Sequence, residues 1–255
     1  MHRLYELRPF VLTIGGLDPC GTSGIVADLK TFETNRVYGM AVCTAITCQN
    51  DISFSKIKWL SKTEIISQLK ILLDRFKFES CKIGIIKDFK ILLQIISILK
   101  KYNHKIKIVW DPILKSTSGH FFHKKFKEAE IKNICKKINL ITPNPQEVSS
   151  IYPDKKNDVG ACVLSKYCPV LLKSSEVSSS YCNDLLIIGN NKIVIKGTYL
   201  KKFSKRGTGC VLSSAIVSNL AKGYSVANSC IIAKKYVRKY LRSNKSLMGF
   251  HSTGV

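Results

Sequence analysis

The chain of 255 residues carries 41 lysines and arginines against 17 acidic residues, which gives a formal net charge of +24. Its length suits one α/β domain over residues 1–255, and a hydrophobic content of 45% is enough to build a sizeable core. Most of the excess charge comes from lysines spread singly through amphipathic segments such as SQLKILLDRFKF, without a basic arm or an RNA-binding signature. We therefore expect a solvated basic surface and no nucleic-acid partner.

The ten cysteines argue against a secreted protein stabilised by disulfides. They lie inside apolar runs such as AVCTAITCQN, show no paired metal-ligand spacing and follow no secretory signal. We expect reduced thiols and a cytoplasmic location. No apolar stretch approaches the length of a membrane-spanning helix, so we expect no membrane partner.

Short apolar runs alternate with amphipathic segments along the chain. Strands are predicted at 9–16, 38–50, 81–86, 105–112, 138–144 and 170–173, followed by a hairpin at 183–197. Helices are predicted at 24–32, 61–76, 89–101, 123–137, 211–222 and 226–242, before a loose tail at 243–255. This alternation predicts an α/β fold whose central, mostly parallel sheet has helices on both faces.

The predicted strands end in polar or glycine-rich loops, and in a parallel sheet such loops meet at one edge. The stretch LDPCGTSG leads from the first strand into a helix, and the second strand ends in Gln49-Asn50. An amide there can give a donor and an acceptor to a heterocycle edge, or it can simply satisfy the loop backbone. The residues expected at this edge are Asp18, Gly21, Gly24, Gln49, Asp111, Ser118, Gly119, Asn144 and Glu147.

A second glycine-rich turn, GTGC at 207–210, opens into an apolar-faced run that extends to Lys222. The first N–H groups of a helix have no partner within the helix and carry partial positive charge, so Gly207, Thr208 and Gly209 suit a phosphate site. The same field would stabilise a thiolate at Cys210. The alternative is a turn that leads into a core helix with a buried cysteine.

Six motifs in order resemble the hydroxymethylpyrimidine/phosphomethylpyrimidine kinases of the ribokinase superfamily. They are GGLDPCGTSGIVADLKTF, YGMAVCTAITCQN, KIGII, DPILKSTSG, ITPNPQEV and GTGCVLSSAIVSNLAKG. The resemblance implies one ribokinase-like kinase domain that uses ATP and Mg²⁺ in thiamine biosynthesis. Its substrates would be 4-amino-5-hydroxymethyl-2-methylpyrimidine and the monophosphate of this alcohol, and the protein would be a homodimer.

The resemblance also implies a role for each matching residue. The turn of Gly207, Thr208 and Gly209 resembles the family's anion hole for the transferred phosphoryl group, and Cys210 stands where a base would take the hydroxymethyl proton. The other implied roles are pyrimidine binding by Gln49, Asp28, Gly21 and Gly24, nucleotide binding by Lys173, Asn144 and Asp111, and magnesium binding by Glu147 and Asp111.

Simpler local roles are open for three of these carboxylates. Asp111 precedes a proline and can cap a turn, Glu147 can stabilise the first turn of a helix after Pro145, and Asp28 can be a solvated helix residue. On the residues alone, each of these roles competes with a role in binding.

The sequence departs from the family pattern at four places. The segment 151–168 is shorter than in relatives, the tail lacks their usual glycine-rich ending, and two changes lie beside the predicted site. Arg206, which follows Lys205, stands where relatives have histidine; the two cations would still attract ATP but change the donor geometry. Lys173 is followed by Ser174, where relatives have glycine, which removes easy access to positive φ. The alternative functions are pyridoxal kinase, whose substrate also carries a hydroxymethyl group on a nitrogen heteroaromatic ring, and a catalytically decayed relative that acts as a binding protein.

Overall fold

The alternation of apolar and amphipathic segments builds one mixed sheet with helices around it. The computed structural model describes residues 8–114, 122, 127–200 and 203–252. Within these ranges the strands are Phe10–Leu17 (β1), Tyr38–Gln49 (β2), Phe54–Trp59 (β3), Ser80–Ile83 (β4), Lys107–Trp110 (β5), Leu140–Ile141 (β6), Val170–Val177 (β7), Cys182–Ile188 (β8) and Asn191–Ile195 (β9). The helices there are Gly24–Thr34 (α1), Lys62–Leu73 (α2), Phe89–Tyr102 (α3), Glu128–Cys135 (α4), Pro145–Ile151 (α5), Asn157–Ser165 (α6), Thr208–Ala221 (α7) and Val226–Arg242 (α8).

The strand order across the described sheet is β3-β2-β1-β4-β5-β6-β7-β8-β9. The central strands from β2 to β7 pair in parallel, whereas β3 at one edge and the β8–β9 hairpin at the other edge pair antiparallel. The mostly parallel sheet that the sequence predicts is therefore confirmed. Its parallel part brings the carboxyl ends of six strands to one edge, where α/β proteins place their ligand sites.

Helices cover both faces of the sheet because successive side chains of a strand point to opposite sides. On β1, Val11 packs into a core that includes residues of α1, α7 and α8, whereas Leu12 packs into a core with residues of α2 to α6. On β5, Val109 packs into the same core as Val11, and Ile108 packs into the same core as Leu12. Among the described helices, none has the length and apolar character that a membrane span requires.

Several local predictions differ from the structure, and helix α6 is absent from the predicted elements. The sequence predicts no strand at Phe54–Trp59, whereas these residues form β3 against the end of β2, as an edge strand whose exposed lysines obscure its pattern. The prediction of a loose tail was wrong for residues 243–252, since the N–H of Arg206 donates to the carbonyl of Leu247 at 2.9 Å. The predicted loop residues Ser118 and Gly119 lie outside the described ranges.

A buried ion pair joins four elements beneath the carboxyl edge of the sheet. Lys82 on β4 places its Nζ 2.6 and 2.7 Å from the two carboxylate oxygens of Asp28 on α1. Asp28 also accepts hydrogen bonds from the hydroxyls of Thr13 on β1, at 2.6 Å, and Ser214 on α7, at 2.7 Å. Burial by itself disfavours the ammonium, but Asp28 raises the pKa of Lys82 above its ordinary value, so the ammonium stays charged.

We expect Lys82→Met to lower the free energy of unfolding by about 3–5 kcal/mol, because the substitution leaves Asp28 buried without its cation. Combining Lys82→Met with Asp28→Asn should recover most of this loss, since neither member of the pair then leaves an unpaired buried charge. Urea unfolding followed by circular dichroism measures both variants. Equal losses in the single and the double variant would contradict an electrostatic origin.

Candidate active site

One continuous cavity of about 430 Å³ opens at the carboxyl edge of the sheet. It is bordered by the loops after β1, β4, β5 and β6, by the end of β2, by the middle of β7 and by the start of α7. The predicted site residues that line it are Gly24, Gln49, Asp111, Asn144, Glu147, Lys173, Gly207, Thr208, Gly209 and Cys210. Residues predicted for the pyrimidine and residues predicted for the nucleotide therefore share one cavity.

The GTGC turn (residues 207–210) begins α7 at the wall of this cavity. Gly207 has φ +69°, and its carbonyl accepts the N–H of Val211 at 2.9 Å. The N–H groups of Thr208, Gly209 and Cys210 therefore precede the first hydrogen bond of the helix. A Cβ at position 207 would lie 1.8 Å from the carbonyl oxygen of Thr22, so both the backbone angle and this close approach require glycine.

The Asp18 loop (residues 18–24) is organised by a single carboxylate. Asp18 is buried and accepts hydrogen bonds at 2.9 to 3.2 Å from the N–H groups of Cys20, Thr22 and Ser23 and from the hydroxyls of Thr22 and Ser23. The Ser23 hydroxyl in turn accepts Nε2 of Gln49 at 3.3 Å. This contact orients the Gln49 amide at the end of β2 while its carbonyl oxygen and second N–H can meet a ligand.

Lys173, Asp111 and Glu147 form a charged cluster beside the GTGC turn. The Nζ of Lys173 lies 2.7 Å from Oδ1 of Asp111 and 3.9 Å from Oε2 of Glu147. A Cβ on Gly209 would lie 3.6 Å from the same Nζ, which shows how closely the cluster approaches the turn. Asn144 and Glu147 form a capping box at the start of α5, in which Glu147 accepts the N–H of Asn144 at 2.7 Å. The alternative role for Glu147, at a helix start, is therefore real and coexists with its position in the cavity.

The two carboxyl groups of the cluster differ in acidity. Burial raises the pKa of both, but Lys173 and Lys82 outweigh it at Asp111 and hold that pKa below its usual value. At Glu147 burial dominates, Asp111 adds repulsion, and Lys173 offsets only part of it, so the pKa rises to about 7. Asp111 is therefore an anion at neutral pH, whereas Glu147 titrates there.

The donor set of this cluster suits a divalent cation that is also bound by a ligand. Among the described residues, no group of three His, Cys, Asp or Glu side chains converges as in a dedicated metal cage. One or two carboxylates completed by phosphate oxygens and water are the usual arrangement for Mg²⁺. Asp111 and Glu147 fit that arrangement, and Lys173 would compete with the cation for both.

Two residues predicted to bind the pyrimidine do not line the cavity. Asp28 is fully buried and used by Lys82, Thr13 and Ser214, so neither the binding role nor the solvated alternative describes it. Gly21, with φ +69°, shapes the Asp18 loop, and its carbonyl accepts the Nζ of Lys30 at 3.1 Å. Lys82 itself lines the cavity; the signal for it was a lysine within the apolar strand run CKIGII.

The expected thiolate at Cys210 is not supported in the ligand-free protein. Burial raises the pKa of the Cys210 thiol, and the nearby ammonium of Lys82 offsets only part of this effect. Asp28 and Asp111 raise the pKa further. The helix start and Lys82 do favour a thiolate, as the sequence predicts, but exclusion of water outweighs them.

The departures from the family pattern have structural counterparts. Ser174 keeps a left-handed backbone, with φ +49°, although it lacks the easy access to this region that glycine has. Its N–H donates to Asp184 at 2.8 Å, and Asp184 pairs with Lys234 at 2.8 Å, which fixes this strained residue. Both cations before the GTGC turn are held by backbone carbonyls: Lys205 by those of Asn244 and Ser246, and Arg206 by that of Asp51.

Comparison with known proteins identifies relatives over most of the chain. Residues 18–254 match the family model described as phosphomethylpyrimidine kinase. The hydroxymethylpyrimidine/phosphomethylpyrimidine kinase of Saccharomyces cerevisiae is 29% identical over 251 residues, which cover 91% of this chain and 46% of the relative. The chain therefore spans about half the length of this and several other curated relatives.

Solved structures share the fold. A phosphomethylpyrimidine kinase from Clostridium difficile 630 superposes with a TM-score of 0.76 at 33% identity, over 91% of this chain and 99% of that one. A pyridoxal kinase from Staphylococcus aureus in complex with ADP superposes with a TM-score of 0.81 at 22% identity, over 96% and 92% of the two chains. The second likeness concerns the fold alone, because its sequence identity is low.

The acidity of Glu147 leads to a prediction about stability. Its pKa is raised in the folded protein, so the folded state binds this proton more tightly than the unfolded chain, and stability falls as pH rises from about 4.5 through about 7. Glu147→Gln keeps the capping oxygen and removes the charge. We expect it to raise the free energy of unfolding by about 1 kcal/mol near pH 8 and to change little near pH 5. A gain of the same size at both pH values would contradict this account.

The strain at Ser174 leads to a second prediction. We expect Ser174→Gly to raise the free energy of unfolding by about 0.5–1 kcal/mol, because the left-handed region costs a non-glycine residue about 1–2 kcal/mol and glycine's greater freedom in the unfolded chain offsets part of the gain. Ser175→Gly is the matched control; Ser175 is outside the left-handed region, so that variant should lose stability. Thermal unfolding of the two variants gives the comparison, and a loss in both would refute the strain.

Proposed function

Because the chain belongs to the phosphomethylpyrimidine kinase family, we propose that it transfers the γ-phosphoryl group of ATP to 4-amino-5-hydroxymethyl-2-methylpyrimidine, and then to the resulting monophosphate. The observation that carries the proposal is that Gln49, the GTGC turn and the cluster of Asp111, Lys173 and Glu147 line one cavity. The pyridoxal kinase of similar fold was solved with ADP, which supports a nucleotide site here.

The acceptor is held at the end of β2. Gln49 presents one amide N–H and the amide oxygen, and an aminopyrimidine edge offers a ring nitrogen acceptor beside an amino donor. Because Ser23 fixes the other amide N–H at 3.3 Å, the orientation of the amide is set before the ring binds. This preorganisation favours an acceptor with adjacent donor and acceptor atoms.

The phosphoryl group is stabilised at the start of α7. The N–H groups of Thr208, Gly209 and Cys210 carry the partial positive charge of the helix start, and Lys173 brings a full positive charge next to Gly209. Such donors stabilise the charge that develops on the transferred group. Asp111 and Glu147 would hold Mg²⁺, which when bound neutralises charge on the nucleotide phosphates.

Cys210 is the residue at which the acceptor proton would be taken. The oxygen of the hydroxymethyl group forms a bond to the γ-phosphorus, the bond from this phosphorus to the β–γ bridging oxygen breaks, and ADP leaves. The hydroxyl proton passes to the Cys210 sulfur, which accepts it in the thiolate form after the thiol has released its own proton to water. Burial disfavours this thiolate. The step therefore depends on the small demand for base that a loose phosphoryl-transfer transition state makes.

The setting follows from the same family assignment. We propose a cytoplasmic enzyme of thiamine biosynthesis with a small-molecule acceptor, and a homodimer as its assembly. All ten cysteines, each in the described part of the chain, are free thiols, which agrees with a reducing compartment. Pyridoxal kinase is the competing activity, because a solved pyridoxal kinase shares the fold and its substrate offers the same hydroxymethyl chemistry.

The test is an ATP- and Mg²⁺-dependent kinase assay of the purified protein with the pyrimidine alcohol, its monophosphate and pyridoxal side by side. We expect both pyrimidine substrates to be phosphorylated in preference to pyridoxal. Cys210→Ala should lower kcat about 100-fold, the range of one lost proton-transfer group, while Gln49→Ala should mainly raise KM for the pyrimidine.

Each outcome has a definite meaning. A clear preference for pyridoxal would replace the proposed substrate, and full activity of Cys210→Ala would remove its assigned role. No turnover of any of the three acceptors would leave the chain as a binding protein that retains the fold.

A further inference from the structure

The C-terminal strap, residues 243–252, folds back onto the approach to the GTGC turn. Asn244 shapes its bend: Oδ1 accepts the N–H of Ser246 at 2.8 Å, and Nδ2 donates to the carbonyl of Met248 at 2.8 Å. The N–H of Phe250 donates to the Ser243 hydroxyl at 2.9 Å. The strap is thus a folded segment with its own hydrogen bonds, although its sequence shows neither helical nor strand periodicity.

Lys205 holds this strap from within the protein. Lys205 is only 5% exposed, and its Nζ donates to the carbonyls of Asn244 and Ser246 at 2.6 Å each. It makes no ion pair with an acidic residue of the described ranges. An ammonium that donates to two carbonyls of one bend stabilises that bend, since losing either bond would leave a buried donor and a carbonyl without a partner.

The strap is also bonded to the residue that precedes the GTGC turn. The N–H of Arg206 donates to the Leu247 carbonyl at 2.9 Å, and the Arg206 carbonyl accepts the hydroxyl of Tyr240 at 3.2 Å. The Arg206 side chain donates from Nε to the Asp51 carbonyl at 2.6 Å, two residues after Gln49. Both backbone polar groups and the side chain of Arg206 are therefore fixed immediately before Gly207.

The strap reaches the Asp18 loop as well. The sulfur of Met248 lies 4.0 Å from the sulfur of Cys20. His251 packs against the ring of Tyr240 at a centroid distance of 4.9 Å and exchanges a hydrogen bond of 2.9 Å with Tyr236. One segment therefore contacts the loop on the acceptor side and the two residues that precede the turn proposed to hold the phosphoryl group.

We propose that Lys205 is a positioning residue for phosphoryl transfer: by pinning the C-terminal strap, it fixes the N–H groups of the GTGC turn relative to the Asp18 loop. The expected effect of Lys205 on the rate rests on the proposed kinase function. Its effect on the position of the GTGC turn does not depend on that function. Lys205 acts on the turn through the strap and through Arg206, and no contact between its ammonium and the phosphates is required.

The first test compares Lys205→Met with Lys205→Arg in the full-length chain. Arginine retains donors for the two carbonyls, and methionine does not. For Lys205→Met we expect kcat to fall about tenfold to a hundredfold, as small misplacements of catalytic donors do, with KM for the pyrimidine changed less than about twofold. Lys205→Arg should recover most of the rate. Lys222→Met, which removes the same charge at the far end of α7, is the control and should leave both constants unchanged.

The second test does not use activity. Hydrogen–deuterium exchange of the ligand-free protein, read on peptides that cover 205–212, should be faster in Lys205→Met than in Lys205→Arg or Lys222→Met. Faster exchange there without any kinase activity in the parent protein would support the structural part of the proposal, that Lys205 holds the turn in place, and would refute the proposed function.

A wild-type kcat in Lys205→Met, or unchanged exchange over 205–212, would overturn the proposal. So would an equal loss of rate in Lys205→Arg. If Lys205→Met does not fold, Asn244→Ala carries the test, because it loosens the bend from the other side and leaves Lys205 in place; normal exchange and normal kcat in that variant would equally overturn it.

Discussion

The ion pair between Asp28 and Lys82 ties the cavity edge of the sheet to the helix that begins with the GTGC turn. Ser214, four residues after Cys210 on α7, donates to the same carboxylate as Lys82 and Thr13. Two charges can leave water only where their hydrogen bonds are satisfied, and here one carboxylate meets an ammonium and two hydroxyls. The place of α7, and of the N–H groups in its first turn, therefore depends on a contact that lies below the cavity.

Among the described residues, some buried charged groups at and near the cavity have no partner of opposite charge, or lie close to a group of the same charge. Glu147 is buried near a second carboxylate, and Lys205 is buried without an acidic partner in the described ranges. The Cys210 thiol is buried as well, and this burial raises its pKa. The low polarity that disfavours each of these groups strengthens the attraction between the remaining cations and a bound phosphate chain. Stability of the ligand-free protein and the capacity for phosphoryl transfer thus make opposite demands on the same residues.

Those parts of the fold and site that depend on local patterns were predictable. The periodicity over 226–242 predicts α8 with its observed bounds, and the glycines around Cys210 predict a turn into a helix, which Gly207 forms with φ +69°. Both features depend on neighbours in sequence. The parallel sheet follows as well, because short apolar runs separated by helices have few other ways to bury their surfaces.

Features that depend on distant partners were not predictable. Asp28 has the spacing of a helix residue facing either a ligand or solvent, and its partner Lys82 lies 54 residues away. The strap is held mainly through backbone carbonyls at 244, 246 and 247, and every residue has a carbonyl, so no pattern of side chains marks it. The acidity of Cys210 could not be read from its helix position either, because burial depends on the assembled fold.

The continuity of the cavity bears on how a compound could block it. Gln49 and Lys173 line the same space, so a molecule that joins a pyrimidine ring to a phosphate chain could contact both without crossing a protein wall. Such a joined ligand would lose its translational and rotational freedom once, whereas two separate ligands lose it twice. Its affinity would therefore gain from linkage as well as from contacts, provided that the linker spans the distance from the Gln49 amide to the GTGC turn without strain.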